Sequence, residues 1–326
     1  MQAAYVTELG PVEAIRFGEL PAPAPGPTDV LLKVEAAAVN PVDGYIRSGA
    51  YRTPTPFPFV LGRDAVGVVA AVGASAAGFE VGDRVWCNSL GHGGRQGTYA
   101  EYACAPCDRV YRLPDGVDPV HAVAVLHPAA TAYLGLFRRG AGLAPGATVY
   151  VAGGAGNVGD AVVRLAARAG ARVVAGARRE DFQRCRDAGA AVAIDYREPT
   201  LASELLRASP RGVDVFFDTS GRADLAGAVA SLARGGRIVL IASAPDRRAE
   251  LPLRDLYTRD GSVVGFAISN AGVEDLAAAA AHLNDLLTAG ALPARVADVL
   301  PLSSAAEAQR AIEEGRAHGR RIVLMP

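Results

Sequence analysis

Six consecutive residues, Gly154-Ala155-Gly156-Asn157-Val158-Gly159, carry the strongest chemical signal in this chain. They satisfy G-x-G-x-x-G, a pattern that gains meaning only between a strand and a helix. Both are present: Thr148-Val149-Tyr150-Val151 is a short β-branched and aromatic run, and Val158, Val162, Leu165, Ala166 and Ala169 recur at helical spacing until Gly170. A second apolar run, Val173-Val174-Ala175, follows. In this order Gly154 permits the tight turn, Gly156 lets a pyrophosphate approach, and Gly159 lets the helix pack closely. The start of the helix, with its exposed N–H groups and positive dipole end, then holds the phosphates. Ala155, Asn157 and Val158 complete the expected cofactor contacts of this turn.

The end of the second strand decides which dinucleotide fits. An NAD site places Asp or Glu there to accept hydrogen bonds from the ribose 2′-hydroxyl. This chain has Gly176-Ala177-Arg178-Arg179 instead, so two cations stand where the carboxylate belongs and the expected cofactor is NADPH. Glu180 and Asp181 follow at once and are alternative partners for those arginines.

Other chemistries drop out on residue types. Lys33 is the only lysine and sits in an apparent strand, so a P-loop, a Tyr-x-x-x-Lys pair and Schiff-base catalysis are all disfavoured. Cys104-Ala105-Pro106-Cys107 forms C-x-x-C, but no second pair or histidine cluster completes a zinc set, and it follows a strand instead of opening a helix. It reads as structural, and no metal is expected. Cys87 and Cys185 add too little for a disulfide framework. The net charge of -1 favours neither nucleic acid nor an anionic membrane as partner. The N-terminal run MQAAYVTELG has no basic leader or long apolar segment, so a cytoplasmic protein acting on a small molecule is expected.

The elements that must position these residues fall into two groups. With 326 residues, two domains are expected, and 50% hydrophobic with 21% charged residues suits a globular chain. Residues 1 to about 120 read as short strands (AAYVTE, AIRFGEL, DVLLKVEAAAV, AVGVVAAVG, DRVWCNS, GTYAEYACA, RVYRLP) broken by Gly and Pro, a barrel-like pattern with little helical periodicity. From His127 the pattern alternates. Strands over 191–195, 213–218, 237–242 and 262–266 join the two around the glycine turn to make six, the number in a doubly wound α/β fold. A helix over 273–287 closes it, and the tail reads strand, helix (303–319), strand, returning to the first domain.

Several separate stretches carry a resemblance to a known family. Asn40-Pro41-Val42-Asp43-Gly44-Tyr45-Ile46-Arg47-Ser48-Gly49, Val81-Gly82-Asp83-Arg84-Val85 and Gly97-Thr98-Tyr99-Ala100-Glu101-Tyr102 resemble the NPVD-x-YIRSG, GDRV and G-x-YAEY segments of zinc-independent, ζ-crystallin-like quinone oxidoreductases of the medium-chain dehydrogenase/reductase superfamily. The resemblance implies a GroES-like barrel domain over 1–124 and 294–326 and a six-stranded Rossmann NADP(H)-binding domain over 125–293. Where zinc-dependent relatives carry a Cys and a Gly-His-Glu, this chain has Asn40 and Gly62-Arg63-Asp64, and the lobe that holds their structural zinc is missing between His92 and Tyr102.

By that resemblance Asn40, Tyr45 and Tyr51 line the substrate site, with Tyr51 matching the proton-donating Tyr of enoyl reductases. His127 and Thr131 lie near the nicotinamide carboxamide, and Ser243 and Phe266 to Ile268 lie at strand ends where ligands bind. Tyr196 and Arg316 match residues near the adenosine phosphate, with Arg320 and Arg321 as alternatives to Arg316. For Asp43 a turn-capping role is favoured over a catalytic one.

Three activities stay open: an NADPH-dependent quinone oxidoreductase, an NADPH-dependent enoyl or enone reductase, and a non-catalytic NADPH-binding structural protein. A homodimer through the edge strand Ser262-Val263-Val264-Gly265-Phe266 is also expected.

Overall fold

A computed structural model describes residues 1–197, 201–243, 246–317 and 319–326. The chain forms two compact units, Met1–His127 with Gly272–Pro326, and Pro128–Ala271.

In the second unit six parallel strands form one sheet. Thr148–Ala152 lies at its centre. Arg172–Ala177 and Val192–Asp195 extend it on one side, and Val213–Asp218, Leu232–Leu240 and Ser262–Gly265 on the other. The strand order therefore reverses at Thr148–Ala152, and ligands of such sheets bind beyond the carboxyl ends of the strands at that point. Central strands covered on both faces read as near-continuous apolar runs, as Val149, Tyr150 and Val151 do, all with no solvent exposure. Helix Asn157–Arg168 follows the first strand and buries Val162, Leu165 and Ala166 as its periodicity requires.

The first unit is β-rich. Asp29–Val39 is its longest strand, pairing with Asp64–Val72 and Tyr102–Pro106. Gln2–Val6 joins Arg16–Glu19 and Phe59–Val60 in a separate small sheet. The tail does return here: Arg321–Met325 pairs antiparallel with Asp29–Val39 and parallel with Val296–Pro301. Its helix spans Ala305–Glu313, shorter than the 303–319 run, and His318 lies outside the described residues.

Two features differ from the sequence expectation. Helix Pro41–Arg47 interrupts the strand-rich stretch; it is too short to show a period, and its start is fixed by a proline and by Asp43 Oδ2, which accepts from the Asn40 N–H at 2.8 Å. Helix Val273–Thr288 groups with the first unit, because Trp86 Nε1 donates to Asn284 Oδ1 at 3.0 Å and Asn284 Nδ2 donates to the Arg112 carbonyl at 2.9 Å. Among the described residues one helix, Pro119–Arg138, is long and apolar enough to cross a membrane, but 78% of the 18-residue apolar stretch that qualifies it is buried inside the protein.

Candidate functional site

The carboxyl ends of the second unit's strands share one edge, since the register pairs Gly176 with Ala152 and Ile194, Ala152 with Asp218, Asp218 with Leu240, and Leu240 with Gly265. The candidate cofactor residues of this unit follow those ends. The glycine turn leaves Ala152. Arg178 and Arg179 leave Ala177, and Tyr196 follows Asp195. Ser243 lies beyond Leu240, while Phe266, whose N–H donates to Leu240 O, and the buried Ile268 lie beyond Gly265.

The glycines divide their work differently from the motif reading. The positive φ of the turn is at Gly153 (77°), one residue before the motif. Gly154 is instead needed for closeness: its N–H bonds Gly176 O at 2.9 Å, and a Cβ there would lie 2.9 Å from the Ala175 Cβ. A Cβ on Gly159 would lie 2.0 Å from the Gly153 carbonyl oxygen, so the helix packs against the turn with no room for a side chain. Gly156 is the N-cap and no side chain caps the helix, while Ala155, Asn157 and Val158 form its approach and first turn. Arg184 Nη2 donates to the Ala155 carbonyl and braces the loop from outside.

Around Arg178 the arginines are arranged by the neighbouring strand. Asp195 accepts from Arg197 Nε at 2.9 Å and Nη2 at 2.7 Å, which with the Arg179 guanidinium at 3.4 Å holds its carboxyl down to about 2. Arg178 Nε donates to the Tyr196 hydroxyl at 3.3 Å, and its guanidinium stands 3.9 Å from Glu180. Asp181 pairs with Arg184 instead. Arg179 and Arg197 thus share Asp195 next to the Arg178–Tyr196 pair, a cluster whose Arg197 and Asp195 members sequence reading missed because strand register brings them in. Beside it is a pocket of about 600 Å³ lined by Tyr150, Gly153, Tyr196, Leu205, Phe216 and Ser220, into which sequence spacing gave no view. The Tyr150 hydroxyl is buried with no hydrogen-bond partner among the described residues.

The first unit holds the other candidates. Asn40 is 2% exposed, and its Nδ2 donates to Asp64 Oδ2 at 2.6 Å. Asp64, fully buried, also meets His127 Nδ1 with its Oδ1 at 2.9 Å. One carboxylate therefore fixes the side-chain orientation of both Asn40 and His127, which stand 87 residues apart in sequence. Thr131, which falls in the second unit, lies one turn beyond His127 on helix Pro119–Tyr133. Tyr45 is exposed on helix Pro41–Arg47, and its carbonyl accepts from the Tyr51 N–H at 2.9 Å. The Tyr51 ring lies 5.6 Å from that of His92. Burial, and the charge of Arg63 after it, push His92 down to about 4, so its ring is neutral at pH 7. Arg316 is exposed beyond the tail helix, its Nε donating to Glu314 at 2.6 Å.

Asp43 serves the capping role expected of it, and the structure adds a titration. It accepts from Asn40 N–H and from the Tyr99 hydroxyl, both at 2.8 Å, yet burial, and then the nearby Asp64 charge, raise it to about 7. Arg63 and Arg321 are the cations in its surroundings. A folded-state value above the unfolded one means the native protein binds this proton more tightly. Its contribution to stability is complete below about pH 4 and is lost as pH rises to about 7, at roughly 1 kcal/mol per pH unit. Asp43→Asn removes this slope, so urea unfolding at pH 5 and pH 7 should show the variant gaining on the parent by about 2 kcal/mol over that interval. A constant difference between the two proteins at both pH values excludes this titration.

Among the described residues no group of three or more His, Cys, Asp or Glu side chains is placed to hold a metal ion. Comparison with known proteins fits this geometry. The Alcohol dehydrogenase GroES-like domain family matches residues 26–115, and the Zinc-binding dehydrogenase family matches residues 157–285. Human quinone oxidoreductase is 32% identical over 100% of this chain and 98% of its own length. A mycobacterial protein solved in complex with NADPH superposes with a TM-score of 0.87 at 31% identity, covering 100% of both chains. A crystal structure of an NAD-dependent alcohol dehydrogenase superposes with a TM-score of 0.89 at 30% identity, again over 100% of both. End-to-end similarity at this level, on a GroES-like unit joined to a six-stranded parallel sheet, makes this chain a member of the quinone oxidoreductases of the medium-chain dehydrogenase/reductase superfamily.

Proposed function

We propose that the protein reduces quinones with NADPH and without zinc. The observation that carries the cofactor reading is the arginine cluster: Arg178 is oriented by Tyr196, and Asp195, the carboxylate that would repel a 2′-phosphate, is taken up by Arg197 and Arg179. The glycine turn receives the pyrophosphate, and the pocket under Tyr150 and Phe216 suits the adenine in size and apolar character. Arg316 is a further candidate for the phosphate, and Ser243, Phe266 and Ile268 for the nicotinamide half.

Nicotinamide supplies a hydride when bound. What the chain supplies is orientation and a dry, polarised setting. Asn40 and His127 are held by Asp64, and Tyr51 stands beside the neutral His92 ring. Zinc-free chemistry is supported by the donor set, since Arg63 is a cation and both oxygens of Asp64 already accept hydrogen bonds. Quinones suit such a site, because delocalisation stabilises the anion formed on hydride addition without a Lewis acid.

A second reading, reduction of an enone or enoyl thioester, is favoured by the Tyr51 hydroxyl, which can protonate carbon. NADPH oxidation against 1,4-benzoquinone, 9,10-phenanthrenequinone, an enone and an enoyl thioester, with NADH alongside, separates the two. Turnover of quinones alone supports the first reading. Turnover of the enone or thioester selects the second, and tight NADPH binding without any turnover selects a structural role.

The same reading places the protein in the cytoplasm, and recovery of a tagged copy in a membrane or secreted fraction would overturn that. It also makes the protein a homodimer through Ser262–Gly265, which among the described residues pairs only with Leu232–Leu240 and so leaves a sheet edge open. Sedimentation as a monomer at micromolar concentration would remove the dimer.

A further inference from the structure

Arg184 reaches the glycine turn from helix Phe182–Asp187, an element that lies outside the cofactor motif. Its Nη2 donates to the Ala155 carbonyl, and its Nη1 stands 3.0 Å from Oδ1 of Asp181, the residue that begins its own helix. The Nε is shielded from solvent and has no hydrogen-bond partner among the described residues. The guanidinium is therefore held by its two outer nitrogens, one on the turn and one on the helix that carries it.

The Ala155 carbonyl belongs to the peptide unit that leads into helix Asn157–Arg168. The N–H of that unit, on Gly156, donates to the Gly153 carbonyl at 2.9 Å, and the Gly156 carbonyl then accepts from the Asp160 N–H at 2.8 Å to start the helix. The unit is thus fixed at its nitrogen by the turn and at its oxygen by Arg184. No side chain caps this helix, so its first N–H groups, which have no carbonyl within the helix to meet, converge where the preceding backbone aims them. A carbonyl oxygen engaged by a guanidinium is also not free to swing toward an anion.

Charge does not explain the arrangement. Asp181 answers Arg184, and Asp160, in the first turn of helix Asn157–Arg168, is answered by Arg164 Nε at 2.7 Å. Two arginines and two carboxylates cancel, which leaves geometry as what Arg184 supplies.

We infer that Arg184 is a positioning residue for the pyrophosphate common to both nicotinamide dinucleotides: it meets no phosphate itself and acts by locking the Ala155–Gly156 peptide from which the helix starts. This rests on the glycine turn receiving the pyrophosphate, as proposed above. Arg178 and Arg184 then differ in kind, the first choosing between the cofactors and the second serving both.

Calorimetric titration with NADPH, NADH and 2′-AMP tests this, because 2′-AMP carries adenosine and the 2′-phosphate without a pyrophosphate. Arg184→Met should lose about 10-fold in affinity for NADPH and NADH alike, the scale of one hydrogen bond from a charged donor, and keep native affinity for 2′-AMP. The factor should be the same at low and high salt, since a direct phosphate contact is screened and a backbone lock is not. Arg184→Lys, which keeps one donor, should recover part of the loss. Native affinity for both dinucleotides in Arg184→Met overturns the inference. An equal loss for 2′-AMP overturns it in favour of a general loosening of the unit, and a loss confined to NADPH or one that shrinks with salt overturns it in favour of direct contact. If the methionine variant fails to fold, Asp181→Ala, which frees the other arm, should give the same pattern at smaller size, and native binding there overturns the inference. Arg184-dependent dinucleotide binding in a protein that reduces no quinone keeps this inference and removes the quinone reading. Quinone turnover with cofactor affinity independent of Arg184 does the reverse.

Discussion

Gly159→Val is expected to weaken NADPH binding by on the order of 100-fold or more, a scale set by what ångström-sized misplacement costs at such sites. The first side-chain atom would lie 2.0 Å from the Gly153 oxygen, 2.7 Å from the Gly153 carbon and 2.9 Å from the Gly154 Cα. These are backbone atoms of the turn itself, so no rotamer relieves the clash and helix Asn157–Arg168 must move away from it. Its N-terminal N–H groups then no longer converge where the turn would present a pyrophosphate. Gly156→Ala is the matched control: its Cβ would meet only the Gly153 oxygen, at 3.2 Å, so the fold is retained while space beside the turn is filled. Titration of NADPH fluorescence, with thermal unfolding in parallel, reads both. Native-like affinity in the valine variant would remove the phosphates from this turn.

Arg178→Ala is expected to weaken NADPH binding by about 10- to 100-fold while changing NADH binding by less than about threefold, because a charge-assisted contact to a phosphate exists only in the first complex. The side chain is solvent-accessible, which limits the effect, but it is already oriented by Tyr196 and stands in a cluster of three arginines. Arg179 is the weaker choice for the same test, since Asp195 lies 3.4 Å from it and shares its charge. Dissociation constants for both cofactors, measured at two salt concentrations, check the assignment. Equal losses for NADPH and NADH would show that Arg178 meets no 2′-phosphate, and the similarity to an NAD-dependent alcohol dehydrogenase would then weigh more heavily.

What the sequence determined by itself is whatever local pattern dictates. The strand, glycine turn and helix around Gly154 are written in adjacent residues, as is the absence of an acid after Ala177. The strands at 213–218 and 262–265 are likewise apolar runs bounded by Gly or polar residues. Family segments such as Asn40 to Gly49 singled out the first unit's candidates before any contact was known.

Tertiary structure decided the rest, because it depends on which distant residues share a place. Asp195 and Arg197 join Arg178 and Arg179 only through the parallel register of two strands. Asp64 meets Asn40 and His127 across separate elements, and nothing in its flanking residues signals that role. Gly153 carries the strained turn although it stands outside the motif, since backbone conformation is set by how strand and helix meet. Arg63 is the clearest case: packing gives the adjacent Asp64 to two other side chains and leaves Nε and Nη1 of the arginine buried without a hydrogen-bond partner among the described residues, which sequence adjacency does not reveal.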